Sequence, residues 1–250
     1  MTHKLKDSAN TYWLYGKHPV EAAMNNPKRQ ILQIFGTKNT MASIQKYAQI
    51  IKERRIEVSI LESSSEMSKY IAIEESVHQG IAVKVKKLEL VFIEQILKKI
   101  DKKSILLVLD QVTDPQNVGA VIRSSLAFGA DAVITTKDNA PSENANLVKG
   151  SAGAFELIPY VQVTNLARTL NDLKKHGYWI VAITQNGSVP INKLNDFDRV
   201  VLLLGAEGKG IRDVNLKQSD VQARINISDR LQSLNVSNAA AIGLYQIYSK

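Results

Sequence analysis

The sequence contains no cysteine, which excludes disulfides, thiolate catalysis and cysteine-ligated zinc sites at once. Its four histidines, His3, His18, His78 and His176, are scattered and form no HxxxH pair, so we expect no metal site. No apolar run approaches the ~18 residues that cross a membrane, and the N-terminus has no apolar stretch typical of a signal peptide. These absences favour a cytoplasmic protein.

Hydrophobic residues make up 44% of the 250 residues, enough for a large buried core. The net charge is +8, and residues 1–104 carry seven of the eight excess positive charges. A basic segment of this kind favours a polyanionic partner, of which nucleic acid is the most common.

Alternating strand and helix patterns predict an α/β fold with two parts joined by a basic linker. Residues 12–85 are predicted to form a small α/β domain, 86–104 a lysine-rich linker with one short helix, and 105–250 a parallel sheet covered on both faces. The predicted strands are 31–35, 58–61, 80–85, 105–110, 132–135, 158–163, 178–184, 200–204 and 221–227. The predicted helices begin at 20–24 and cover 41–54, 91–100, 117–128, 143–149, a segment capped by Thr164 that ends before Gly177, and 236–248.

Three loops follow buried segments of the second part, where open α/β sheets bind ligands. The first, Asp114–Gly119, leads into a helix that places Arg123 between small residues. The second, Gly205–Gly210, has three glycines that allow close backbone approach to a ligand. It is not a phosphate loop, because its GK pair is followed by Gly210 rather than Ser or Thr. The third, Ser233–Gly243, runs into a helix of small residues, which suits close packing at a subunit interface or within a tightly crossed chain.

Together, the three loops resemble the TrmH/SpoU family of RNA ribose 2′-O-methyltransferases. The matching text is DPQNVGAVIRSSLAFGADAVI, then VLLLGAEGKGI, then INISDRLQSLNVSNAAAIGLYQ. The N-terminal part, from LYGKHPVEAA to HQGIAVKV, resembles the ribosomal-protein-like substrate-binding domain of a subgroup that methylates a guanosine of large-subunit ribosomal RNA. The resemblance covers nearly the whole chain from residue 12.

The resemblance implies a trefoil-knotted parallel-sheet methyltransferase domain preceded by a small α/β substrate-binding domain. It also implies S-adenosylmethionine as the methyl donor, a structured RNA as the substrate, and a homodimer with each site near the subunit interface. The donor contacts implied by motif position are Gly205, Ile225, Leu234 and, more weakly, Thr184. The residues implied at the reaction centre are Asn117, Arg123, Glu207, Ser233 and Asn235.

One stretch departs from the family pattern. Asp229–Gln232 stands where the family often has a glycine and a valine, and Asn226 stands where proline is common, so the family pattern does not define the shape of the loop beside the donor. Three alternatives remain at this point: a transfer-RNA 2′-O-methyltransferase, a non-catalytic RNA-binding protein with the same fold, and a nucleotide hydrolase using Gly205–Gly210. The missing Ser or Thr and the absent acidic metal site argue against the last. Arg123 is either the base or a phosphate clamp; a guanidinium is a costly base, which favours the clamp, but the sequence leaves both roles open.

Overall fold

The computed structural model describes residues 10–71, 78–98 and 102–249. Their backbone contacts divide the chain into two compact units, Met1–Glu89 with Glu143–Leu157 and Leu90–Ser142 with Ile158–Lys250. The elements are β1 (Thr11–Tyr15), α1 (Lys17–Asn25), β2 (Ile31–Thr37), α2 (Met41–Gln45), α3 (Ala48–Glu53), β3 (Glu57–Leu61), α4 (Ser64–Ile71), β4 (Ile81–Lys86), α5 (Ile93–Leu97), β5 (Ser104–Asp110), α6 (Pro115–Ala127), β6 (Ala132–Thr136), α7 (Ala145–Gly150), β7 (Tyr160–Val163), α8 (Leu166–Lys175), β8 (Trp179–Ile183), β9 (Val189–Pro190), β10 (Arg199–Gly205), α9 (Asp213–Leu216), β11 (Val221–Arg224) and α10 (Val236–Tyr248).

The described part of the first unit contains a four-stranded sheet in the order β1-β4-β2-β3. β4 pairs antiparallel with β1 and β2, and β2 pairs parallel with β3. Strand β1 and helix α4 were not predicted from the sequence. The single helix predicted over 41–54 is two helices, because the Tyr47 N–H donates to Ile44 O in a tighter turn than the α-helical one.

A buried ion cluster ties the segment 143–157 into the first unit. The fully buried Arg29 donates to Glu156 through Nη2 at 2.7 Å and to Glu143 through Nη1 at 2.5 Å. The same Nη1 donates to the carbonyl oxygen of Lys86, and Asn26 Nδ2 donates to Glu156 Oε2 at 2.7 Å. This segment stands within the sequence of the second unit, so the first unit is assembled from two separate stretches of chain. The domain limits 12–85, 86–104 and 105–250 stay predictions.

The described part of the second unit contains a seven-stranded sheet in the order β7-β6-β5-β10-β8-β11-β9, with all neighbours parallel. Its central strands, β5 and β10, are apolar and almost completely buried, as strands covered on both faces require. The α/β class with a parallel sheet is therefore confirmed. Among the described residues, no helix is both long enough and apolar enough to cross a membrane.

The small residues of the terminal helix α10 face the sheet of their own chain. A side chain at Gly243 would place its first carbon 2.6 Å from Ile183 Cδ1 and 2.8 Å from Leu202 Cδ2. Ala240 and Leu244 on the same helix are also fully buried. The pattern that suggested an intersubunit contact therefore allows close packing within one chain, and it leaves Tyr245 and Tyr248 exposed on the helix.

Candidate active site

A cavity of about 460 Å³ opens at the carboxyl ends of three neighbouring strands of the second unit, β8, β10 and β11. Parallel strands end at one edge of a sheet, which is where such folds bind ligands. Segment 227–236, just before helix α10, forms another part of the wall. All four residues predicted to contact a methyl donor line this cavity, namely Thr184, Gly205, Ile225 and Leu234.

The glycine loop after β10 folds back on itself so tightly that only glycine fits at its first position. A side chain at Gly205 would place its first carbon 2.1 Å from the carbonyl carbon of Gly210. The loop closes through the Gly210 N–H, which donates to Ala206 O at 2.8 Å. The loop therefore presents backbone to the cavity, as its three glycines predict.

The wall also contains an unpaired polar atom. Thr184 Oγ1 is buried and has no hydrogen-bond partner within the described parts of the chain, while its backbone N–H donates to Ala223 O at 2.9 Å. A buried hydroxyl without a partner is costly unless a ligand or water satisfies it. This orphaned hydroxyl and the glycine loop fit a polar organic ligand that is held largely by backbone groups.

Residues from three distant segments, the first turn of α6, the glycine loop and the start of α10, meet in one hydrogen-bonded cluster beside the cavity. Asn235 Nδ2 donates to Asn117 Oδ1 at 2.9 Å and to Glu207 Oε1 at 2.6 Å. The same carboxylate oxygen accepts the Val236 N–H at 3.2 Å. Asn235 Oδ1 caps helix α10 by accepting the Ser237 N–H at 2.9 Å. The structure thus brings together three of the five residues that were predicted at the reaction centre.

The other two predicted residues, Ser233 and Arg123, make no hydrogen bond with this cluster. Ser233 is exposed on the cavity wall, and no group in the described ranges is its hydrogen-bond partner. Arg123 is exposed on α6, and its guanidinium makes no hydrogen bond or ion pair with the described residues. It follows Asn117 by six positions, which is about 240° around a helix, so the two side chains do not share a face. Arg123 is therefore available to a ligand from outside this chain.

Sequence reasoning missed the residues that fix the base of the glycine loop. Asp110 is fully buried at the end of β5 and accepts hydrogen bonds from Arg212 and Asn215. The signal was present, because an acidic residue closes the otherwise apolar run ILLVLD, and a buried carboxylate requires partners. The sequence could not identify those partners, because they lie more than a hundred residues away along the chain.

Comparison with known proteins assigns the chain to a family. The profile of the SpoU rRNA methylase family matches residues 104–245, and the profile described as RNA 2′-O ribose methyltransferase substrate binding matches residues 13–91. The chain belongs to the SpoU rRNA methylase family. The resemblance inferred from the three loops is therefore confirmed, and so is that of the N-terminal part.

Two named relatives of this SpoU protein match it over nearly its whole length. It is 34% identical to a 23S rRNA (guanosine-2′-O-)-methyltransferase of Pseudomonas aeruginosa over 238 residues, 94% of each chain. It is 35% identical to the protein of the same name from Acinetobacter baylyi over 244 residues, 95% of this chain and 97% of that one. These matches span both of its parts.

Solved structures share the fold of this SpoU protein. One is the SpoU methyltransferase AviRb from Streptomyces viridochromogenes in complex with the cofactor AdoMet, with a TM-score of 0.80, 19% identity, and coverage of 96% of this chain and 90% of that one. An AdoMet-bound rRNA methyltransferase from Sinorhizobium meliloti has a TM-score of 0.79 at 21% identity, with coverage of 96% and 87%. At these identities the likeness establishes the fold.

The tight turn at Gly205 gives a prediction about this cavity. Gly205→Ala would force the added carbon against the Gly210 backbone, so the loop must move and a cavity ligand loses its backbone contacts. We expect the affinity for S-adenosylmethionine to fall by about ten-fold or more, measured by isothermal titration. Gly177→Ala is the matched control, because a side chain there meets nothing within 4 Å, adds backbone strain at a φ of 81°, and lies outside the cavity wall. Equal affinities in the two variants would contradict the prediction.

Proposed function

We propose that this protein transfers a methyl group from S-adenosylmethionine to the ribose 2′-hydroxyl of a guanosine in 23S ribosomal RNA. Its relatives of that name match nearly the whole chain, including the substrate-binding part. The observation that carries the proposal is the hydrogen-bonded cluster of Asn117, Glu207 and Asn235 beside the cavity. A non-catalytic RNA-binding protein has no need for a polar cluster that joins three loops at a donor-sized cavity.

The cavity residues fit the donor. A volume of about 460 Å³ lies within the range of small-molecule sites, and Thr184 offers a buried hydroxyl without a partner. We assign Gly205, Ile225 and Leu234 to backbone and apolar contacts with the donor, and Thr184 to a polar contact. When bound, S-adenosylmethionine supplies a methyl group on a positively charged sulfur.

The hydrogen bonds divide the roles within the cluster. Both N–H groups of Asn235 are used, on Asn117 and on Glu207, and its oxygen caps α10. Asn235 is therefore a positioning residue. It fixes the amide of Asn117 with the oxygen inward, which leaves Asn117 Nδ2 as a donor for the ribose oxygen. Glu207 accepts two N–H groups on one oxygen and orients the start of α10.

Arg123 is assigned to the RNA. Its guanidinium is exposed and makes no hydrogen bond or ion pair with any described part of this chain, and its planar fork suits bidentate binding of a phosphate. A guanidinium has N–H donors and no acceptor, so Arg123 serves better as a clamp and as a stabiliser of the forming alkoxide than as a base. Ser233, on the cavity wall, is a second polar group within the reaction region.

We expect the basic N-terminal part to supply most of the protein's affinity for RNA. Residues 1–104 carry seven of the eight excess positive charges, and phosphate contacts dominate non-specific binding.

We also propose that the enzyme works in the cytoplasm, where ribosomal RNA of bacteria is made, and that its C-terminal segment forms the trefoil knot of the family.

The proposal is tested by donor titration and by mapping of methylated nucleotides. The purified protein should bind S-adenosylmethionine and transfer its methyl group to 23S rRNA from a strain that lacks the gene. A single guanosine should gain a 2′-O-methyl group, detected as resistance of its 3′ linkage to alkaline cleavage. If transfer RNA is methylated instead, the substrate proposed here is wrong. If the protein binds RNA but no donor, the non-catalytic RNA-binding alternative is correct.

We further propose a homodimer through the outer face of α10. Tyr245 and Tyr248 are 59% and 60% exposed, and both pack against Phe128 at the end of α6, so they form an exposed aromatic surface, which is typical of interfaces. Changing both tyrosines to Asp should convert the dimer to a monomer at micromolar concentration in sedimentation velocity. Trp179→Asp is the control, because this exposed aromatic lies on β8 and should leave the dimer intact. A wild-type monomer would overturn the proposal.

A further inference from the structure

Asp110 occupies a position at the base of the cavity without being part of its wall. It ends strand β5, it is 0% exposed, and it lies directly opposite Gly205 in the pairing of β5 with β10. The strand pairing therefore fixes the first residue of the glycine loop beside Asp110. The carboxylate is absent from the residues that line the cavity, so any effect on a ligand must pass through other residues.

The side chain of Asp110 holds the residues that follow the loop. Its Oδ2 accepts the backbone N–H of Arg212 at 2.9 Å and Asn215 Nδ2 at 2.7 Å. Its Oδ1 accepts Arg212 Nε at 2.9 Å and lies 2.8 Å from Arg212 Nη2. Four N–H groups from two residues thus converge on one buried carboxylate, an arrangement of strong charge-assisted bonds.

Both ends of the glycine loop are therefore attached to a single residue. Strand pairing holds Gly205 at the start, and the carboxylate holds Arg212 just beyond the end at Gly210. The tip of the loop carries Glu207, which accepts Asn235 Nδ2 and the Val236 N–H. A movement at the base would displace both the backbone that faces the cavity and the carboxylate that orients the start of α10.

We propose that Asp110 is a positioning residue for methyl transfer, which sets the shape of the donor site through Arg212 and Asn215 without touching donor or RNA. This inference rests on the proposed function, because it concerns the same cavity. The charge matters as well as the shape. In Asp110→Asn, an amide nitrogen replaces one of the two carboxylate oxygens. Its N–H groups would face the N–H donors of Arg212 or Asn215, so the contacts on that side become repulsive.

The test compares Asp110→Asn with the wild type in the full chain. We expect the dissociation constant and the KM for S-adenosylmethionine to rise about ten-fold or more, the loss expected from one or two charge-assisted bonds. The KM for RNA should stay within about two-fold, and kcat at saturating donor should fall less than the donor affinity, because Arg123 and the RNA contacts are unchanged. A general loss of folded protein would not produce this split between the two KM values.

Asp131→Asn is the matched control. The Asp131 carboxylate accepts the Ser104 hydroxyl at 2.7 Å and the Ile105 N–H at 3.2 Å, at the opposite end of the same strand β5. This variant should lose thermal stability and keep the wild-type donor affinity. A variant at Arg212, whose side chain is 41% exposed, provides a second route if Asp110→Asn fails to fold. Arg212→Gln should raise the donor dissociation constant about three-fold, because the contacts of the guanidinium with Asp110 Oδ1 are lost.

The outcomes separate this inference from the proposed function. A wild type that binds no donor overturns the proposed function and, with it, this inference. If the wild type binds donor and transfers methyl groups, and Asp110→Asn binds donor equally well, the positioning role is wrong and the function stands. Where Asp110→Asn does not fold, the same conclusion follows from wild-type donor affinity in Arg212→Gln. Equal weakening in Asp131→Asn would also overturn it, because the effect would then be general to β5.

Discussion

Replacing Arg123 with Ala is expected to lower kcat for methyl transfer by roughly a thousand-fold, the upper range for loss of one group that stabilises charge in a transition state. Donor affinity should change only a few-fold, because Arg123 does not line the cavity. The measurement is single-turnover transfer of labelled methyl groups to 23S rRNA, with donor binding by titration on the same preparation.

Arg123→Lys separates charge from geometry at the same position. Lysine keeps the positive charge but loses the planar fork that binds a phosphate with two parallel hydrogen bonds. If positive charge alone is required, Arg123→Lys should retain measurable activity, and if fork geometry is essential it should be nearly as inactive as the alanine variant. The exposed Arg168, on α8, is the control, because Arg168→Ala should leave transfer unchanged. Full activity of Arg123→Ala would remove Arg123 from the mechanism.

Replacing Arg29 with Ala is expected to lower the free energy of unfolding of the first unit by about 3–5 kcal/mol, because two carboxylates lose their buried partner. Glu156 and Glu143 both accept its N–H groups, and Tyr12 donates to Glu143 at 2.6 Å. Burial alone would lower the pKa of Arg29. The hydrogen bond and charge of Glu156, together with the charges of Tyr12 and Glu143, outweigh burial, so the pKa of Arg29 is raised. Burial, reinforced by Glu143, raises the pKa of Tyr12.

The measurement is urea unfolding followed by the fluorescence of Trp13, which is 4% exposed and stacks on Phe35 in the first unit. A Trp179→Phe background removes the only other tryptophan of the chain. Lys46→Ala is the control, because Lys46 and Glu21 form an ion pair whose side chains are 46% and 26% exposed, and exposed ion pairs contribute little to stability. A loss of less than about 1 kcal/mol in Arg29→Ala would contradict the structural role of the cluster.

The same cluster limits how the protein can be divided. Glu143 and Glu156 belong to a segment that follows β6 in sequence, so a fragment of residues 1–104 leaves Arg29 buried without either carboxylate. Experiments on RNA affinity therefore use the full chain with charge-reversed surface lysines and arginines rather than an isolated N-terminal fragment.

Local pattern was sufficient for the elements that depend on neighbouring residues. The apolar run 105–110, the three glycines after β10 and the small-residue run within 236–248 predicted the strand, the loop and the terminal helix that the structure contains. Local pattern failed where tertiary packing decides. Helix 41–54 divides at a tight turn near Tyr47, and the small residues around Gly243 pack on Ile183 and Leu202 of their own chain.

The sequence by itself determined the parallel α/β architecture, the basic N-terminal part and the three loops, because the spacing of apolar residues and the turn chemistry of glycine are local properties. Only the tertiary structure decided which polar groups meet. Asn235 and Asn117 are 118 residues apart, Arg29 and Glu156 are 127 apart, and Asp110 and Asn215 are 105 apart. A buried polar group must find a partner, but the sequence does not specify which one, because that pairing depends on how distant segments of the chain pack together.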